Sequence, residues 1–202
     1  MIKSVIFDLG GVCFTDGTGN FVRKVSKKYN LDEKKAREFL KSSAPQSQLC
    51  RKGKIKSNKY LNMFKGLMSI DADNKILLKM WAGSFRPISG IEKIIKALRK
   101  KKIRTFILSD SIKENVDYLE RKYRFVKNFD GLIFSYKMHK SKFDGAPIFK
   151  IALKQTKNKP EEVIFIDDKE RCVKIGRKLG MASIHFKNSN QLRLEFKKLK
   201  LL

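Results

Sequence analysis

Val5-Ile6-Phe7-Asp8-Leu9-Gly10-Gly11 joins an apolar, β-branched and aromatic run to a carboxylate and then to two glycines. A short run of this kind, with Ile2 ahead of it, reads as a buried strand that stops at a turn. Such a strand delivers Asp8 to the carboxyl edge of a sheet, which is where open α/β sheets bind their ligands. The pattern recurs twice. Thr105-Phe106-Ile107-Leu108 ends in Ser109-Asp110, and Val163-Ile164-Phe165-Ile166 ends in Asp167-Asp168. Three strand-like runs with acidic or hydroxyl ends imply one site assembled from distant parts of the chain.

The remainder of the chain supplies the helices for such a sheet. After Pro87, helix and strand patterns alternate: helix 89–101, strand 103–108, helix 113–122, strand 131–134, helix 146–156, strand 163–166, helix 170–179 and strand 182–186. Alternation with short connections implies right-handed crossovers and a doubly wound parallel sheet, an α/β, Rossmann-like architecture. Gly180, between Leu179 and Met181, is placed to end a helix in the left-handed conformation. Residues 18–84 differ, because apolar residues there fall at helical spacing, as in Phe21, Val25 and Tyr29 or Tyr60, Phe64, Leu67 and Met68. Asn30-Leu31-Asp32-Glu33 and Ser69-Ile70-Asp71 read as turns leading into helix N-caps. The expected organisation is a core of residues 1–16 and 86–202 interrupted by a small helical domain over 17–85.

With 202 residues, 42% of them apolar, the chain is long enough for one α/β core and a small insertion. No stretch approaches the roughly 20 apolar residues of a membrane span, and residues 1–15 lack a signal-peptide layout, so a soluble cytoplasmic protein with no membrane partner is expected. Cys13, Cys50 and Cys172 are odd in number and widely spaced, which argues against a zinc site or disulfide framework and for small core residues. Forty-seven Lys and Arg against 20 Asp and Glu give a net charge of +27. The excess predicts nonspecific attraction to nucleic acid, yet it is spread over nearly every helix-like segment, as on a solvated Lys-rich surface.

Four motifs in order resemble those of the haloacid dehalogenase superfamily. They are IFDLGGV with Asp8, FILSDS with Ser109, SYKMHKSKFDGAPIF with Lys142, and VIFIDDKERC with Asp167 and Asp168. QLCRKGKIKSNKYLNMF is similar to the q-x-E-x-G-x-I-s-x-x-E-F-w entry of relatives with a small helical cap. The resemblance implies a hydrolase, most directly a Mg²⁺-dependent phosphatase of small phosphorylated metabolites. Asp8 would be the nucleophile, with Ser109 and Lys142 as its catalytic partners. Gly10, Gly11, Ser109, Asp110 and Lys142 would face the substrate, and Asp8, the Gly10 carbonyl, Asp167 and Asp168 would face the metal. His139, His185, Trp81 and Phe85 are read as structural.

The residue chemistry agrees with that implication. A carboxylate attacking a phosphoryl group needs a divalent cation to offset the repulsion between two anions, and Mg²⁺ prefers carboxylate and carbonyl oxygens. Lys142 neutralises phosphate charge, Ser109 donates a hydrogen bond, and N–H groups of the Gly10-Gly11 turn add anion contacts. Four positions depart from the pattern. Gly10 stands where many phosphatases of the superfamily have an acid/base aspartate, and Lys-Pro-Asp-Pro becomes Lys142-Phe143-Asp144-Gly145. Cys172 and Asp110 each replace an asparagine. Two other readings stay open: a metal-independent 2-haloacid dehalogenase, and a non-catalytic member that binds nucleic acid or an acidic partner through its basic surface.

Overall fold

A computed structural model describes all residues, Met1–Leu202. Its sheet has five strands, β1 (Ser4–Phe7), β2 (Arg104–Ser109), β3 (Gly131–Phe134), β4 (Val163–Asp167) and β5 (Ala182–His185), in the order β3-β2-β1-β4-β5. Every pairing is parallel. Each connection therefore crosses a face of the sheet, and both faces are covered, as expected for a doubly wound α/β fold. The chain runs outward from β1 to β2 and β3, then returns to β4 on the other side, so β1 is the topological switch point.

Alternate strand residues feed the two apolar layers. Val5, Phe7, Ile107, Ile164 and Ile166 pack on one face, against α6 (Ile91–Lys100), α7 (Lys113–Tyr123) and α11 (Ser189–Lys198). Ile6, Phe106, Leu108, Val163 and Phe165 pack on the other, with Ile148, Phe149 and Ala152 of α9 (Ala146–Thr156) and Cys172 of α10 (Glu170–Lys178) buried on that side. Helix α6 carries Ile91, Ile94, Ile95 and Leu98 on its buried stripe and closes on Arg99 and Lys100, which suit the negative end of its dipole. Gly180 ends the α10 segment with φ +84°, as its position in the sequence predicts.

Five helices lie between β1 and α6: α1 (Gly17–Tyr29), α2 (Glu33–Leu40), α3 (Pro45–Arg51), α4 (Ser57–Met68) and α5 (Asn74–Ala82). Side chains of Asp16, Asp32 and Asp73 accept from backbone N–H groups in the first turns of α1, α2 and α5. Asn30 and Ser69 take left-handed φ values of 51° and 52° and end the helices before them. These helices have an aromatic interior. The Trp81 indole lies flat on Phe21 with centroids 5.4 Å apart, Phe39 stacks on Tyr60 at 5.1 Å, and Trp81 Nε1 donates to Thr18 Oγ1 at 3.2 Å. Their apolar cluster is continuous with that on the sheet face.

Strand and helix limits agree with the sequence reading to within one or two residues, and α11 lies beyond the last strand of that alternation. Its apolar residues Leu192, Leu194 and Phe196 alternate like a strand. The helix forms because Asn188 caps it through Gln191 N–H and because Leu192 and Phe196 alone supply the buried face, leaving Leu194 exposed. Trp81→Ala should cost about 3–5 kcal/mol, the usual range for deleting a large buried aromatic, measured by urea unfolding. A loss below about 1 kcal/mol would show that the aromatic stack does not hold the inserted helices.

Candidate active site

Because Phe7 pairs with Ile166, Asp8 and Asp167 leave adjacent strands at the same level. The Asp8 N–H extends the ladder by donating to the Ile166 carbonyl at 2.9 Å. Two carboxylates at neighbouring strand ends need a shared counter-ion, and Lys142 supplies it. Its Nζ lies 2.9 Å from Asp8 Oδ1 and 2.6 Å from Asp167 Oδ2, with all three side chains nearly or wholly buried. Asp167 Oδ1 takes the Lys169 N–H at 2.8 Å, so both oxygens of Asp167 are engaged. Asp8 accepts both of its contacts, from Lys142 and from the Leu9 N–H, on Oδ1, leaving Oδ2 without a protein donor.

Burial raises the Asp8 carboxyl to about 8, with Lys142 pulling it down and Asp167 and Asp168 pushing it up. Burial also disfavours the charged form of Lys142, but Asp167 and Asp8 outweigh it and hold the ammonium well above its ordinary range. The cluster is therefore a fixed cation among carboxylates that repel one another.

Lys142 opens a turn capped by Ser141, and its own N–H donates to both oxygens of Asp110 at 3.0 and 3.1 Å. Asp110 thus holds the lysine loop while lining the same cavity as Asp8, and Ser109 lies buried at the end of β2. Gly11 departs from expectation. Its N–H donates to the Phe14 carbonyl at 2.6 Å and is not free for an anion. What Gly11 supplies is space. A Cβ there would sit 2.4 Å from the Asp168 carboxylate carbon, and its φ of +97° suits glycine alone. Gly10 keeps its carbonyl free of protein hydrogen-bond donors.

These groups line a cavity of about 760 Å³ that includes Asp8, Gly10, Ser109, Asp110, Lys142, Asp167 and Asp168. Residues of the inserted helices, among them Thr18, Val22 and Arg51, close its other side. Arg51, Arg171 and His185 were not anticipated as site residues. Arg171 stacks on Phe143 with its guanidinium carbon 3.5 Å from the ring centroid, and it donates to the Lys142 carbonyl. His185 lies between the Asp168 carbonyl, 3.0 Å from Nε2, and Glu170, 3.1 Å from Nδ1. The strings QLCRKGKIKSNKYLNMF and VIFIDDKERC contain Arg51 and Arg171 without marking either as a site residue, His185 lies outside both, and only the fold brings the three to the rim. His139, by contrast, lies against the Lys52 carbonyl away from the acids, and Trp81 belongs to the aromatic interior. Phe85 both packs in the core and lines the cavity.

The residues present suit a hard divalent cation. One carboxylate oxygen from each of Asp8, Asp167 and Asp168 lies within 4.8 Å of the others. Asp168 Oδ1 is buried with no hydrogen-bond partner, a costly arrangement for an anionic oxygen unless a cation meets it. Since Asp167 is already committed to Lys142 and Lys169, the free donors are Asp8, Asp168 and the Gly10 carbonyl.

The chain matches the model of the haloacid dehalogenase-like hydrolases over residues 5–186. It belongs to that family. A family enzyme from Bacteroides thetaiotaomicron superposes with a TM-score of 0.78 at 21% identity, covering 96% of this chain and 98% of the other. The same enzyme has been solved with magnesium and inorganic phosphate, and that structure gives a TM-score of 0.73 at 21% identity over 93% and 96% of the two chains. A HAD-like family hydrolase from Porphyromonas gingivalis gives 0.76 at 21% identity over 99% and 98%. No curated protein matches the chain. No helix is long and apolar enough to cross a membrane.

The electrostatics of this haloacid dehalogenase-like site set a stability prediction. Asp8 titrates near 8 in the fold against 3.8 ordinarily. Its contribution is therefore complete below the ordinary value and lost as pH rises through the folded one. In chelator, Asp8→Asn should melt several degrees above wild type at pH 8–9, with the gap closing toward pH 4. Lys142→Met, which strands two buried carboxylates, should cost about 3–5 kcal/mol. A destabilised Asp8→Asn together with a neutral Lys142→Met would contradict this balance of charges.

Proposed function

We propose that the protein is a Mg²⁺-dependent phosphatase of small phosphorylated metabolites that works through an aspartyl-phosphate on Asp8. One observation carries this reading: Asp8, with Oδ2 free of protein donors, shares a cavity with Ser109, Lys142 and a partnerless buried oxygen of Asp168. Asp8 Oδ2 attacks phosphorus as the ester P–O bond breaks and the leaving alkoxide departs with a solvent proton. Water then cleaves the acyl phosphate, releasing inorganic phosphate and restoring Asp8. Lys142 holds Asp8 in place and offsets charge on the phosphoryl oxygens, and Ser109 donates to one of them. Asp8, Asp168 and the Gly10 carbonyl would hold Mg²⁺, which when bound screens the nucleophile from the anionic phosphoryl group. The magnesium and phosphate complex of the Bacteroides enzyme supports the choice of cation and substrate class. Residues 17–85 would act as a cap that closes the cavity over the substrate.

Gly10 gives the reading a consequence. With no carboxyl at that position, the leaving group must depart without a positioned proton donor, which forgoes roughly 10²–10⁴-fold in rate. Aryl phosphates with good leaving groups should therefore be hydrolysed far faster than alkyl phosphates. A Cβ on Gly10 meets only the Phe85 ring, at 3.5 Å, an ordinary contact.

Phosphate release from an aryl and alkyl phosphomonoester panel should require Mg²⁺ and vanish in Asp8→Asn. Gly10→Asp should raise alkyl turnover by tenfold or more. No phosphate release from any ester with Mg²⁺ or Mn²⁺ present would refute the phosphatase reading. Halide release from 2-chloropropionate without metal would replace it with a dehalogenase.

A further inference from the structure

Arg51 is the last residue of α3 and is 7% exposed, yet it lines the cavity shared with Asp8. Its Nε donates to Ser47 Oγ at 3.0 Å, one Nη to the Asp110 carbonyl at 2.7 Å and the other to Thr18 Oγ1 at 3.3 Å. All three acceptors are uncharged oxygens. A guanidinium has five N–H donors, and a buried one without a hydrogen-bonded anion is held at a large desolvation cost.

The anchoring of Arg51 indicates what it addresses. The Asp110 carbonyl that it grips follows Ser109 directly, and the Asp110 carboxylate holds the Lys142 N–H. Arg51 and Lys142 therefore grip the same residue next to the hydroxyl that faces the phosphoryl group. The neighbourhood of Arg51 is also fastened to the lysine loop. Ser135 Oγ donates to the Arg51 carbonyl at 2.7 Å, Ser141 Oγ donates to Gln48 Oε1, and Lys52 pairs with Asp144 at 2.9 Å. By contrast, Arg37 and Lys41, the other cations that the inserted helices bring to the cavity, are already paired with Glu33 and Glu38.

We infer that Arg51 is a substrate-binding residue, an anion receptor delivered by the inserted helices that takes an oxygen of the substrate's phosphoryl group. The inference rests on the phosphatase reading above. The phosphate dianion supplies the charge that the buried guanidinium lacks, and the latch around α3 ties closure of the helices to the placement of Lys142. Arg51 provides planar, charge-assisted hydrogen bonds, which are about twice as strong as neutral ones.

The test is calorimetric titration of inorganic phosphate at saturating Mg²⁺. Arg51→Gln should weaken phosphate roughly ten- to a hundredfold, the loss of one or two charge-assisted hydrogen bonds, with Mg²⁺ affinity unchanged. Arg51→Lys should recover part of the loss. Gln48→Ala, which loosens the latch but leaves the guanidinium, should bind phosphate within a fewfold of wild type. In wild-type protein labelled with ¹⁵N-arginine, the Arg51 side-chain resonance should shift on phosphate addition, a reading that needs no variant to fold. Equal phosphate affinity in wild type and Arg51→Gln, or equal losses in Arg51→Gln and Gln48→Ala, would overturn the role of Arg51 and leave the phosphatase reading standing. Failure of wild type to bind phosphate at all would overturn both.

Discussion

The Lys142 ammonium held between Asp8 and Asp167 is the constraint that organises this molecule. A parallel sheet whose central strands β1 and β4 both end in aspartate places two carboxylates side by side under a protein roof. Left alone, such a pair stays ionised only at a large cost, and one member would take up a proton. The lysine, arriving from a loop far along the chain, offsets part of this cost. Much of the surrounding structure then serves to hold that loop: Asp110 grips the lysine N–H, Ser141 and Asp144 cap the turn, and Arg171 donates to the lysine carbonyl.

From this arrangement follows a division of labour among the acids. Asp167 is saturated by Lys142 and by the Lys169 N–H and acts as the lysine's counter-ion. Asp168 is held the opposite way, pressed into the space above Gly11 with one oxygen partnerless and the other paired to the exposed Lys169. Asp8 lies between these extremes, with one oxygen anchored and one without a donor. Three aspartates within a few ångströms thus carry three different electrostatic assignments, fixed by which donors reach each oxygen.

The fold was largely legible in the sequence because buried parallel strands are written as unbroken apolar runs that end abruptly in polar residues. Val5–Phe7, Phe106–Leu108 and Val163–Ile166 announce themselves in this way, and their ends mark the edge where the acids gather. Helix α11 was less legible, because only Leu192 and Phe196 among its apolar residues lie on the buried face and the exposed Leu194 blurs the helical spacing. At the site, residues carried by strand ends or by the lysine motif could be named in advance. Arg51 and Arg171 could not, since one among 47 basic residues shows its importance only once its neighbours in space are known. The donor role expected of Gly11 failed for a related reason. Nothing in the string Gly10-Gly11 reveals that the second N–H turns back to Phe14.

The most direct test of the account is a crystal structure grown with Mg²⁺ and beryllofluoride, a mimic of phosphate on a carboxylate. The account predicts beryllofluoride on Asp8 Oδ2, Mg²⁺ ligated by Asp8, Asp168 and the Gly10 carbonyl, and Lys142 still bridging Asp8 and Asp167. Mg²⁺ and beryllofluoride found only away from Asp8, in a crystal where this carboxylate stays unmodified, would contradict it.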